Sequence, residues 1–214
     1  MKALIPKNAC LLILKRYFLN FLETTMNSVL LMIPKLQNRF DGLEKSRQGL
    51  MEMLDQLDEA QLKFQPQPGK WSIIQVLHHV QWSEQGACNY MLKKNRAETL
   101  PKSGISSALR SVSLKIALWL PIKYKAPVKA IDPDPNLSYT ELKERWESSR
   151  KTLKDFLEAL PEERTDVTIF RHPFAGYFNI FHVFSFFEDH FQHHLKQIER
   201  IRNLENFPQD KVKR

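Results

Sequence analysis

The strongest constraint on this chain is the spacing of its apolar residues between a small set of helix breakers. Ile33, Leu36, Phe40, Leu43, Leu50, Leu54 and Leu57 form a stripe near the 3.6-residue period, which predicts a first helix over Met32–Leu57. A short segment, Asp58–Lys63, precedes the run Gln65-Pro66-Gln67-Pro68-Gly69, where two prolines and a glycine stop any helix. A second long helix is expected over Ser72–Lys94, with Ser72 as its N-cap. A third follows over Ser138–Ala159, opened by a Ser138/Glu141 capping box and ended by Pro161. A fourth takes Asn179–Leu204, with Pro208 beyond it. With only six glycines and 12 prolines in 214 residues, the pattern predicts an all-α fold.

The second and third helices are separated by a long connection, Arg96–Asn136, with its own candidate helix over Ser106–Leu120. A crossover of that length lets consecutive helices run parallel, unlike the alternating bundle that short loops produce. Residues 126–135 read as loop, since each residue before a proline is held extended in Asp132-Pro133-Asp134-Pro135. Residues 164–177 read either as loop or as a short extended piece around Val167-Thr168-Ile169. The expected organisation is an N-terminal extension over 1–32, a four-helix bundle over 33–204 and a tail over 205–214. In the extension, the apolar run Ala9–Leu14 is too short to span a bilayer and lacks a clear cleavage site, so neither a membrane span nor a signal peptide is expected. Met26 is an alternative start.

Two cysteines, Cys10 and Cys88, give neither a disulfide framework nor a zinc ribbon and suit a cytoplasmic protein. The net charge of +8 is concentrated in the crossover. No acidic residue falls between Thr99 and Ile131, whereas Lys102, Arg110, Lys115, Lys123, Lys125 and Lys129 do. Such a stretch is either a solvated basic face or an attractor for an anionic small molecule, a phosphate backbone or a membrane surface. No nucleic-acid-binding motif accompanies it, so no nucleic-acid partner is expected.

Histidines mark where to look for chemistry. Taking about 100° per residue and His194 as zero, Val183, Phe187, Phe191, Leu195, Ile198 and Ile201 fill an arc from about −20° to +100°. His190 lies at about −40°, at the edge of the arc, while His193 and His182 fall at about −100° and −120°. His190 and His194 are thus an inward pair one turn apart, the spacing by which one helix offers two nitrogens to a metal. On the second helix His79 borders the apolar arc and His78 points away. Three inward histidines would leave coordination positions open, as in catalytic zinc sites. The same spacing also suits a solvated pair, or a pair satisfied within a core.

The segment Gly69-Lys70-Trp71-Ser72-Ile73-Ile74-Gln75-Val76-Leu77-His78-His79-Val80 resembles the opening of the second helix in the DinB-like family, which includes bacillithiol- and mycothiol-transferase-like bundle proteins. In that family a ligand histidine lies eight residues after the tryptophan, here His79. Residues His172-Pro173-Phe174-Ala175-Gly176 and His190-Phe191-Gln192-His193-His194-Leu195-Lys196-Gln197-Ile198 match further family motifs, placing the other two ligands at His190 and His194. The resemblance covers roughly Ile33–Asn203. It implies a bundle holding one divalent metal ion, Zn2+ or Ni2+, often as a homodimer. It also implies a small-molecule substrate such as an anionic low-molecular-weight thiol, with S-transfer or hydrolysis as the reaction. A metal-binding module without chemistry is the alternative. Glu84 and Glu188 are candidate general bases, and Gln75 and His193 candidate hydrogen-bond partners of the ligands. Trp71, Phe184, Phe186 and Phe187 read as packing residues, and no catalytic residue is assigned.

Overall fold

Three of the long helices start where a side chain satisfies an N–H group that the first turn leaves free. In the computed structural model of the chain, described here for residues 32–120 and 133–209, the elements run α1 (Pro34–Leu54), α2 (Glu59–Lys63), α3 (Ile73–Lys94), α4 (Ile105–Trp119), α5 (Tyr139–Glu158), β1 (Phe170–His172), β2 (Gly176–Phe178) and α6 (Ile180–Arg202). Asp58, Ser72, Ser138 and Asn179 cap α2, α3, α5 and α6. Pro34 stands in the first turn of α1, where a missing N–H costs nothing. The expected N-terminal extension, Cys10 and the lysines at 123, 125 and 129 lie outside the described residues.

The caps differ from the expected ones in one respect. At Ser138 the hydroxyl accepts from the Glu141 N–H at 3.1 Å, but the Glu141 carboxylate pairs with Arg145 and does not return to Ser138. Full reciprocal boxes form instead at Asp58/Gln61 and Ser72/Gln75. A neutral amide has no competing ion partner one turn on, so it stays at the cap.

The four long helices make the bundle. Helix α3 packs against both α5 and α6, and α1 packs against α6. Leu54, Ile73, Leu77, Leu142 and Trp146 are fully buried within one apolar cluster, and Leu36, Phe184 and Phe187 are fully buried too. The crossover helix α4 lies on α6 and β2. Its C-terminal end is tied to α6 by a 2.6 Å hydrogen bond between His193 Nδ1 and the Leu118 carbonyl.

The extended piece falls slightly later than the sequence suggests, as an antiparallel hairpin pairing Phe170 with Phe178 and His172 with Gly176. Val167 contributes a single bridge to Lys102, and Ile169 N–H donates to the Phe178 carbonyl at 2.9 Å. The hairpin and this bridge are the departures from an all-helical fold among the described residues. His172 Nδ1 accepts the N–H groups of Phe174 and Ala175 at 3.2 and 3.1 Å, which closes the loop, and Gly176 takes φ +80°.

Candidate metal centre

Helices α3 and α6 bring His79, His190 and His194 together. The two residues on α6 are one turn apart and both buried, and His79 reaches them from the facing helix. His190 Nε2 lies 3.2 Å from His79 Nε2 and 3.1 Å from His194 Nε2. One nitrogen from each of the three lies within 4.8 Å of the others, a grouping that could hold a metal ion.

The spacing tests that fit. Metal–nitrogen bonds of about 2.0–2.1 Å place two ligand nitrogens about 3.3 Å apart in a tetrahedron and about 2.9 Å apart on an octahedral edge. The two separations from His190 fall between these values, and all three nitrogens lie within 4.8 Å of one another. The donor chemistry agrees. Gln197 Oε1 lies 2.9 Å from His194 Nδ1. An amide oxygen only accepts, so Nδ1 carries the proton and Nε2 presents a lone pair to the cluster. One shared proton cannot satisfy three Nε2 atoms that face each other, whereas a cation satisfies all of them.

Electrostatics keep the site neutral. Burial pushes His79 down to about 4, helped by the nearby His193 and His78. Burial, then the neighbouring His79, takes His194 to about 3. His190 is held well below its ordinary value by burial and then by His194 and His79. Neutral imidazole is the form that ligates metals.

Aromatic rings close the surroundings. Trp71 lies 5.0 Å from the His79 ring, and Phe186 stacks on His190 at 5.2 Å. Phe184, Phe186 and Phe187 are buried packing residues, as expected. Trp71 and Phe186 in addition form part of the wall around the histidines. Beyond Phe186 stands His172, with ring centroids 4.7 Å apart; burial pushes His172 down to about 4.

Other sequence candidates are placed elsewhere. Glu84 is fully buried between α3 and α5, accepting from Trp146 Nε1 at 2.8 Å and Arg150 Nη2 at 3.0 Å. Burial raises its pKa despite Arg150. Glu188 pairs with Arg39 on the α1–α6 side. Gln75 is held by the α3 cap and donates to the Pro133 carbonyl at 3.2 Å. His193 packs beside His194, at 5.0 Å between rings, but its Nδ1 goes to Leu118. His78 Nδ1 accepts the Asp134 N–H at 3.1 Å. In the crossover, Lys115 stands 3.5 Å from Asp189 and Arg110 lies over Gly176. Gln197 was not among the candidates; its sequence signal is the position three residues after His194, one turn along the same face.

A helical bundle with a three-histidine cluster, two of them buried, spanning two facing helices defines the class. The sequence profile of the DinB superfamily matches residues 42–198, and the chain belongs to that superfamily. Among solved structures it is similar to YfiT from Bacillus subtilis, described as a probable metal-dependent hydrolase with an unusual four-helix bundle topology. That likeness has 17% identity and a TM-score of 0.48, over 78% of this chain and 85% of the other. No curated protein matches the chain.

Proposed function

We propose that this chain is a metal-dependent enzyme in which His79, His190 and His194 hold one divalent ion, Zn2+ or Ni2+. The observation that carries the reading is the convergence of three neutral imidazoles, two buried and one half-buried, with His190 Nε2 3.2 and 3.1 Å from the Nε2 atoms of His79 and His194. Three protein ligands leave a position for a water or a small thiol, whose pKa a bound divalent ion lowers enough to supply the nucleophile near neutral pH. The imidazoles are uncharged, so the ion keeps its full charge and favours an anionic ligand. The reaction classes that follow are hydrolysis, or transfer of an anionic low-molecular-weight thiol to an electrophile. The chain's own contribution is to orient His194 through Gln197 and to limit water with Trp71 and Phe186. The setting we infer is cytoplasmic, with a small-molecule substrate and a homodimer as the assembly.

A second reading, a metal-binding module without chemistry, draws on one observation. Both acidic candidates are committed elsewhere, Glu84 to Trp146 and Arg150, and Glu188 to Arg39. Proton transfer would then fall to the metal-bound nucleophile or to a group of the substrate.

The test is metal content per chain by elemental analysis, on the wild type and on His79→Ala and His190→Ala. About one ion per wild-type chain, sharply reduced in both variants, supports the site. A wild type that takes up no zinc or nickel on reconstitution sinks the reading. Where metal binds, nickel- or cobalt-substituted protein titrated with small thiols separates the two functions: an enzyme changes its spectrum and turns over electrophile, and a binding module does neither.

A further inference from the structure

Helix α4 presents an apolar face to solvent. Ile105, Leu109, Val112, Ile116 and Trp119 recur at alternating spacings of four and three, within an arc of about 80° on the helix wheel. They are 82%, 63%, 55%, 53% and 73% exposed. The opposite side, with Ser107 buried and Leu114 and Leu118 partly so, is the one that packs on the protein. The outward stripe exposes on the order of 600 Å² of apolar-residue surface, the upper end of what soluble monomers show. Patches of that size and shape mark interaction surfaces. The hairpin under α4 adds exposed Phe174 and Tyr177.

We propose that this face docks the protein onto an anionic membrane surface. The first argument is charge. The sequence from Thr99 to Ile131 holds six basic residues and no acidic one. Lys102 and Lys115 are themselves exposed, 83% and 67%, and their 3.5 Å pairs with Asp166 and the partly buried Asp189 are weak enough to exchange for lipid headgroups. The second argument is shape. The five side chains form a ridge on the outside of the bundle, and a ridge meets a lipid interface without needing a matching groove. An apolar stripe with basic neighbours and a tryptophan at its end is the composition of a helix lying in the headgroup region. A second copy of the chain fits less well, because pairing two such helices sets one acid-free basic segment against another. The docking proposed is peripheral, and no helix of the described residues is long and apolar enough to cross a membrane.

The test is flotation of the full-length protein with vesicles of phosphatidylcholine alone and of phosphatidylcholine containing phosphatidylserine. Wild type is expected to float with the anionic vesicles, less so as salt rises, and not with the neutral ones. A Leu109→Glu/Ile116→Glu variant should lose about tenfold or more of that binding, since it removes apolar contact and adds repulsion. Both positions are exposed, so the variant should keep the wild-type circular dichroism spectrum. Trp119→Phe should remove a blue shift of tryptophan emission seen on adding anionic vesicles. Three results would overturn the proposal: no binding to anionic vesicles, binding that the double Glu variant leaves unchanged, or a wild-type dimer that the same variant dissociates while vesicles bind neither protein.

Discussion

Gln197 Oε1 lies 2.9 Å from His194 Nδ1, one turn further along α6. The contact fixes which nitrogen of His194 is protonated and turns Nε2 toward His79 and His190. It lies within a single helix, so the bundle does not depend on it. Gln197→Ala should therefore leave helix content unchanged while weakening zinc or nickel binding about 10–100-fold. Gln197→Glu keeps an acceptor at the same place and should restore most of the affinity. Competition against a chromophoric chelator measures both. Equal affinities for wild type and Gln197→Ala would remove Gln197 from the site.

The buried histidines make acid sensitivity predictable in sign. In the metal-free protein His79 and His172 titrate at about 4 and His194 at about 3, against an unfolded value of about 6.5. Between these values the unfolded chain holds more protons than the folded one, so stability rises with pH. The stability that depends on neutral histidine is complete above about 6.5 and is lost as pH falls toward about 4. Each such histidine contributes a slope of roughly 1.4 kcal/mol per pH unit inside the window. Urea midpoints in chelator should be flat from about pH 8 to about 7 and fall clearly by about pH 5. In the folded protein the site histidines stay neutral down to about 4, so metal loading should hold until pH nears that value or the chain unfolds.

Much of this was legible in the sequence because helices announce themselves locally. Ser72, Ser138 and Asn179 are short polar side chains just ahead of apolar periodicity, and each caps the helix it precedes. The wheel separated His79, His190 and His194 from His78, His182 and His193 because burial follows helical phase. What phase cannot give is the partner of a polar group. Glu84 falls within the same apolar arc as Val76 and Val80, but its ion pair with Arg150 and its hydrogen bond from Trp146 depend on α5, a distant segment. The hairpin was displaced because strands of three residues are too short for alternation to register. Its position depends on Gly176 and on the loop closed by His172.

The Glu84 network yields a stability prediction distinct from the metal site. Arg150 donates to Glu84 from Nη2, and its Nε lies 3.0 Å from Glu44 Oε1, off the N–H axis and so an ion pair rather than a hydrogen bond. Both Arg150 and Glu84 are buried. Arg150→Ala leaves a buried carboxylate without its counterion and should cost about 3–5 kcal/mol. Arg150→Ala/Glu84→Gln removes the orphaned charge and should recover part of that loss. Chemical denaturation of the four proteins forms the cycle. Metal binding per folded chain should stay near wild type in all of them, which separates this core network from the histidine site.

Gly176 is constrained twice. Its φ of +80° disfavours any residue with a Cβ, and a Cβ built there would stand 2.7 Å from Arg110 Nη1. Gly176→Ala should accordingly destabilise the protein by more than the roughly 1 kcal/mol of backbone strain alone. The guanidinium is the far end of a flexible side chain, so shortening it should relieve the contact but not the strain. Gly176→Ala/Arg110→Ala should therefore be more stable than the two single losses added together predict, leaving a residue of about 1 kcal/mol. Thermal melts of the four proteins give the coupling. A strictly additive result would mean that Arg110 moves aside without cost and that α4 is not held to the hairpin at this point.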